Sequence, residues 1–322
     1  MKSFVIGGSG FIGTRLVSRL MQGEKKNVYI FDKAMSVQFP EITIIGDVRS
    51  KINCNNLDLS GAILFNLAAE HRDDVTPLSL YNDVNVIGAK NVCAFANESG
   101  ISKIIFTSSV AVYGFAPINT DESGLIAPFN EYGRTKWEAE EVYKKWQAEK
   151  PSERALLIIR PTVVFGEGNR GNVFNLLKKI SYKSFIMIGN GRNRKSIAYV
   201  ENIAAFLEYG MDFNPGIHIY NYVDKPDMTM NDLVHRVSNF LEKKHRTNFR
   251  MPFNLALIIA YGFDLVAKAT GRKFSISVIR VKKFCSDSLY QSAVSKTGFI
   301  APVPILKALE RVIRFEFFKN GE

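Results

Sequence analysis

The apolar positions of this chain follow two alternating rhythms. Short, nearly continuous apolar runs at 2–6, 27–31, 42–45, 62–67, 103–106 and 155–159 read as strands buried on both faces. Between them the apolar residues recur at helical spacing. Ile12, Leu16, Val17 and Leu20 mark the first helix, and Leu80, Val84, Ile87 and Phe95 share a face of a long helix over 77–99. Ala139, Val142, Tyr143 and Trp146 turn inward from a helix over 131–150. Strands alternating with helices predict an α/β domain, a parallel sheet covered by helices on both faces. After about residue 165 the elements shorten: a helix opening at 171–175, a glycine turn at 189–191, a strand near 217–221, and helices near 229–242 and 253–269. The pattern divides the chain into 1–165 and a smaller α/β lobe, 166–322, with no flexible linker between them.

Composition fits this reading. Of 322 residues, 46% are hydrophobic and 23% charged, enough for a large core. The three cysteines, Cys54, Cys93 and Cys285, are scattered, so neither a disulfide framework nor a metal site is suggested. The N-terminus runs straight into a glycine turn, with no leader-like apolar region, which suggests a cytoplasmic protein. The net charge of +11 includes basic runs at 192–195, 243–246 and 282–283. It admits nucleic acid, an anionic membrane or a phosphorylated small molecule as partner. No nucleic-acid-binding pattern accompanies it. The longest apolar stretch, 253–267, is interrupted by Asn254, Gly262 and Asp264 and falls short of the ~20 residues of a spanning helix. It is expected to be a buried helix, with a helix resting on a membrane surface as the minority alternative.

Candidate chemistry clusters at the C-terminal ends of the expected strands, where ligands of doubly wound sheets bind. The first strand runs into Gly7-Gly8-Ser9-Gly10-Phe11-Ile12-Gly13 and then a helix, and the second strand closes with Asp32. Strand, glycine turn, helix and an acidic residue about 20 positions on make a Rossmann dinucleotide site. Glycines let the backbone approach a pyrophosphate at a helix N-terminus. Asp32 would accept bonds from ribose hydroxyls and repel a 2′-phosphate, which favours NAD, although Lys33 leaves NADP open. The fifth strand leads to Thr107-Ser108-Ser109. Tyr132 and Lys136 then stand at i and i+4 on one helix face. The lysine charge is expected to lower the tyrosine pKa so that the phenol can move a proton at neutral pH.

With these residues in view, the chain resembles the extended short-chain dehydrogenase/reductase family, in its nucleotide-sugar epimerase/dehydratase branch. The motifs are GGSGFIG at 7–13, NLAA at 66–69, TSSVAVYG at 107–114, YGRTK at 132–136 and RPTVVFGEGNRGN at 160–172. The resemblance implies a catalytic set of Ser109, Tyr132 and Lys136. It implies a cofactor site of Gly7, Gly10, Phe11, Ile12, Gly13, Asp32, Asp47, Val48, Leu67, Ala68, Ala69, His71, Asn85, Thr107 and Pro161, shared with Tyr132 and Lys136. Substrate contacts would come from Ser109, Asn172, Val173, Lys195, Arg280 and Ser288, with Lys195 and Arg280 as cations for a diphosphate. A homodimer formed through helices 77–99 and 131–150 is common in the family. Dehydratases of this branch carry an Asp-Glu pair beside the catalytic serine or threonine. This chain reads Ser109-Val110, without a carboxylate, so dehydration is rejected. The expected function is an NAD-dependent nucleotide-sugar 4-epimerase on a UDP-N-acetylhexosamine. The alternative is an NAD(P)H-dependent 4-ketoreductase of a UDP-4-keto-6-deoxy sugar in surface-polysaccharide synthesis.

Overall fold

The computed structural model describes residues 1–22, 27–54, 56–72, 75–182, 184–241, 250–272, 274 and 276–318; the basic run at 243–246 lies outside them. In chain order the elements of the first half are β1 (Lys2–Ile6), α1 (Phe11–Leu20), β2 (Asn27–Asp32), β3 (Thr43–Ile45), β4 (Ile63–Asn66), α2 (Ser79–Tyr81), a π-helical segment (Asn82–Ile87), α3 (Gly88–Glu98), β5 (Lys103–Thr107), α4 (Glu131–Ala148) and β6 (Ala155–Pro161). There follow β7 (Val163–Phe165), α5 (Asn172–Ser181), β8 (Met187–Ile188), β9 (Arg194–Tyr199), α6 (Val200–Tyr209), β10 (Gly216–Tyr222), β11 (Asp224–Thr229), α7 (Met230–Phe240), β12 (Arg250–Met251), α8 (Phe253–Thr270), α9 (Val278–Cys285) and α10 (Ile305–Phe317).

Seven strands form one parallel sheet in the order β10-β6-β5-β4-β1-β2-β3. Side chains alternate across it, so each strand serves two cores. Phe4, Ile6, Leu64, Ile104, Phe106 and Ile158 pack under α3 and α4, whereas Val5, Ile30, Phe65, Ile105 and Ile159 pack under α1 and α6. Burial on both faces is why these strands read as unbroken apolar runs. The order reverses between β1 and β4, which opens a crevice at their carboxyl ends.

The chain forms two compact units. The first is Met1–Val164, Ala198–Val223 and Tyr290–Pro304; the second is Phe165–Ile197, Asp224–Leu289 and Ile305–Glu322. Residues 198–223 supply α6 and the seventh strand, β10, to the first unit, which a division at 165/166 does not anticipate. Two smaller sheets, β11-β9-β7 and β12-β8, complete the strand pairing.

Two local expectations are corrected. The buried face of the 77–99 helix is formed by Tyr81, Asn85, Val86, Ala89, Val92, Cys93, Phe95 and Ala96, with Leu80, Val84 and Ile87 only half-buried. The π-helical turn at 82–87 inserts extra backbone per turn and rotates the apolar stripe away from its 3.6-residue phase. The second correction concerns α8, expected to be buried. Only Ala256 and Ala260 of its 18 residues are buried.

Candidate active site

The sheet's carboxyl edge gathers most of the candidate residues. Gly7 continues β1, its amide bonded to Phe31 O (2.9 Å), and has a φ of +78° that favours glycine. A Cβ on Gly7 would meet Ala68 N at 2.7 Å, and one on Gly13 would meet Gly7 O at 2.2 Å. The glycines are therefore required for the turn to lie against the Leu67-Ala68-Ala69 segment and for α1 to pack onto it. At Gly10 an added Cβ would meet only Gly7 O, at 3.2 Å, so its outer side is open. The N-terminus of α1, with Phe11 and Ile12 in its first turn, has no side-chain cap and no acidic residue. Its orphan amides and helix dipole suit an anion.

Asp32 ends β2 and accepts the amides of Ser9 (3.0 Å) and Ala34 (3.1 Å). This fixes a carboxylate beside the glycine turn. Asp47 lies beyond β3, where a hydrogen bond from Arg49 holds its carboxyl below its ordinary range. Val48 is buried against Gly88. Thr107, at the end of β5, has a buried hydroxyl oxygen with no hydrogen-bond partner among the described residues. Such an orphan is costly unless a ligand satisfies it. Open space at Gly10, an uncapped helix end, a carboxylate at the second strand and this hydroxyl fit a dinucleotide.

Two candidates have protein partners. Asn85 is buried in the π-helical turn; its Oδ1 accepts the Glu70 amide (2.9 Å), and its Nδ2 donates to Glu70 O (3.1 Å) and Thr135 Oγ1 (2.9 Å). It ties the loop after β4 to α4. His71 is exposed, with its amide donating to Glu70 Oε1 (3.2 Å). Pro161 is buried at the end of β6.

Tyr132 and Lys136 sit in the first turns of α4, which begins at the Asn130 cap; the Asn130 side chain accepts the Gly133 amide (2.9 Å). A Cβ on Gly133 would meet Ala111 O at 2.4 Å, so glycine lets α4 press onto the turn carrying Ser109. Ser109 caps that turn, its Oγ accepting the Ala111 amide (3.1 Å), and its hydroxyl also bonds Tyr132.

The electrostatics differ from the expectation that Lys136 lowers the Tyr132 pKa. Burial raises the phenol above its ordinary value; the Ser109 hydrogen bond opposes this and Tyr81 adds to it. Lys136 is itself buried, its Nζ 4.2 Å from the centre of the Phe106 ring, and desolvation lowers its pKa to about 7 against the pull of Glu140. Burial dominates both groups, opposed by Ser109 at Tyr132 and by Glu140 at Lys136, and neither shift includes a contribution from the other residue of the pair.

A network that the sequence reading missed lies behind this set. Arg160 makes a two-pronged pair with Glu140, at 2.9 and 2.6 Å, and donates to Tyr113 Oη (2.7 Å). Ser108 Oγ donates to Glu140 Oε1 (2.5 Å), and Tyr113 Oη donates to Asn221 (2.8 Å). The available signal was an arginine at the end of a wholly apolar strand.

The remaining candidates belong to the second unit. Asn172 is exposed at the first position of α5, and Val173 is buried behind it. Lys195 and Ser288 are joined by a backbone bridge. Lys195 Nζ donates to Lys283 O and Ser286 O, both at 2.6 Å, at the end of α9, and burial lowers its pKa. Arg280 is exposed on α9.

Comparison with known proteins agrees with this geometry. Residues 3–221 match the model of the NAD dependent epimerase/dehydratase family. The chain is 47% identical over 315 residues to an N-acetyl-alpha-D-glucosaminyl-diphospho-ditrans,octacis-undecaprenol 4-epimerase of Escherichia coli O157:H7, covering 97% of this chain and 94% of the relative. It is 28% identical to a UDP-glucose 4-epimerase of Vibrio cholerae over 75% of this chain and 76% of that one. In fold it matches the UDP-glucuronic acid 4-epimerase of Bacillus cereus solved with NAD, with a TM-score of 0.76, 16% identity and 98% of both chains covered. With the glycine turn, the acidic residue after β2 and the serine–tyrosine–lysine set in place, the chain belongs to the NAD dependent epimerase/dehydratase family.

Proposed function

We propose that this enzyme is an NAD-dependent 4-epimerase of an N-acetylhexosamine carried on a diphosphate. One observation carries the reading: the serine–tyrosine–lysine set stands at the sheet's carboxyl edge beside the dinucleotide turn, in a chain 47% identical to a sugar 4-epimerase. Tyr132 takes the proton of the sugar 4-hydroxyl and later returns it. Ser109 holds that oxygen and the phenol in one hydrogen-bonded line. Lys136 would hold the cofactor's ribose. NAD, when bound, accepts hydride from C4 and gives it back to the opposite face of the 4-keto sugar, so it is not consumed.

Two carriers suit the diphosphate reading. UDP is the one expected from the sequence motifs, and the Vibrio cholerae relative is named for a UDP-sugar. A polyprenyl diphosphate is favoured by the much higher identity to the Escherichia coli relative, named for an undecaprenyl-linked sugar. Asn172, Val173, Lys195, Arg280 and Ser288 are the proposed substrate contacts. The enzyme is further proposed to be a cytoplasmic homodimer of surface-polysaccharide synthesis.

The test is to extract nucleotide from freshly purified protein and incubate the protein, without added cofactor, with UDP-GlcNAc and with GlcNAc-diphospho-polyprenol in detergent. About one NAD per chain and a GalNAc product that Tyr132→Phe fails to form are expected. Protein without NAD that oxidises NADH stoichiometrically with a 4-keto-6-deoxy sugar nucleotide would replace the epimerase with the ketoreductase.

A further inference from the structure

We infer that the outward face of α8 docks on an anionic lipid bilayer. The helix passes about half its circumference to the surface, and apart from Asn254 and Gly262 that half is apolar. Leu255, Ile258, Ile259, Tyr261, Leu265 and Val266 are exposed, Ile258 at 67% and Leu265 at 71%. At 100° per residue they fall in one arc, with Gly262 at its centre. The opposite arc holds Ala256 and Ala260, packed with Val281 of α9. Ile276 and Ile279, exposed by 41% and 50%, add apolar surface at the start of α9. Patches of this kind are rarely left to water.

Charge selects the occupant. From Arg250 to Lys283 the chain carries seven lysines and arginines and one carboxylate, Asp264. Asp264 lies on the inward arc, where its Oδ2 accepts the Val278 amide (3.0 Å) and so caps α9. The outward arc therefore presents no acidic group. Lys268 at the end of α8, Arg272 just beyond it, and Arg280, Lys282 and Lys283 on the adjoining α9 are all exposed. An exposed apolar strip in a segment rich in cations and nearly free of carboxylates is the composition of a helix that lies in the interface plane of an anionic membrane. The docking rests on α8 and its charges alone. Its use, to bring the active site to a sugar on a membrane-bound polyprenyl diphosphate, rests on the lipid-carrier reading above.

The experiment is flotation of the purified full chain with vesicles of phosphatidylcholine alone or mixed with phosphatidylglycerol. Light scattering of the same samples and epimerase turnover in detergent on GlcNAc-diphospho-polyprenol run alongside. The chain is expected to float with the anionic vesicles and much less with the neutral ones. Ile258→Glu/Leu265→Glu should abolish flotation while retaining NAD and detergent turnover. Lys282→Glu/Lys283→Glu should weaken it by more than about tenfold, since each cation near such a surface is worth roughly fivefold. Protein that stays at the bottom with both vesicle types overturns the inference. So does a halving of the molar mass in Ile258→Glu/Leu265→Glu without flotation of the parent, which would assign the face to a second copy of the chain. Turnover without flotation sinks the docking alone; flotation without turnover on this substrate sinks the lipid-carrier reading alone.

Discussion

Replacing Lys136 with methionine should make the NAD-free protein more stable at neutral pH while abolishing turnover. The lysine is 1% exposed, and burial lowers its pKa from 10.5 to about 7. Between those values the unfolded chain binds a proton that the folded chain does not, so the lysine's cost to folding falls as pH rises through that window. At pH 7 the cost is about 4 kcal/mol, from roughly 1.36 kcal/mol per unit of pKa less the share of protonation kept in the fold. Methionine fills similar space and forfeits the cation over the Phe106 ring, worth about 1 kcal/mol. Glu140 keeps its two bonds from Arg160, so no buried carboxylate is orphaned. The net gain expected for Lys136→Met at pH 7 is therefore roughly 3 kcal/mol, shrinking by about 2 kcal/mol at pH 9. Urea unfolding of NAD-stripped wild type and variant at pH 7, 8 and 9 measures it. A variant less stable than wild type at pH 7, or a difference that does not change with pH, refutes the reasoning.

Three further substitutions probe the rest of the site. Thr107→Val removes the unpartnered buried hydroxyl; the NAD-free protein should be as stable as wild type or better by about 1 kcal/mol, with weaker NAD retention. Unaltered NAD content after gel filtration would remove Thr107 from the cofactor site. Gly13→Ala puts a methyl 2.2 Å from Gly7 O, so α1 must move off the turn; bound NAD should disappear and the melting temperature fall, and a variant purifying with full NAD would contradict the packing. Glu140→Gln strips the Arg160 guanidinium of its buried counter-charge, for an expected loss of about 3–5 kcal/mol in urea unfolding. A loss under about 1 kcal/mol would show that the network does little for the fold.

How much was legible in the sequence follows from the range of the interactions involved. The apolar runs, the glycine turn, Asp32, the threonine and serine after β5, and the Tyr132–Lys136 spacing are local signals. Backbone periodicity and turn sterics fix them within a few residues, and they suffice for the α/β class and the family. Other features needed partners far along the chain. β10, from the second half, pairs with β6 as the seventh strand. Arg160 meets Glu140 across 20 residues, and Asn85 meets Thr135 across 50. The phase of the 77–99 helix turned on a π-helical turn that no apolar period announces. The acid–base balance of Tyr132 and Lys136 was set by desolvation, which spacing on a helix cannot reveal. The composition of α8 favoured a core helix, with a helix on a membrane surface as the minority reading. Only tertiary packing, which covers Ala256 and Ala260 and leaves Ile258 and Leu265 outside, decided between them, because burial depends on what the rest of the chain places against a face.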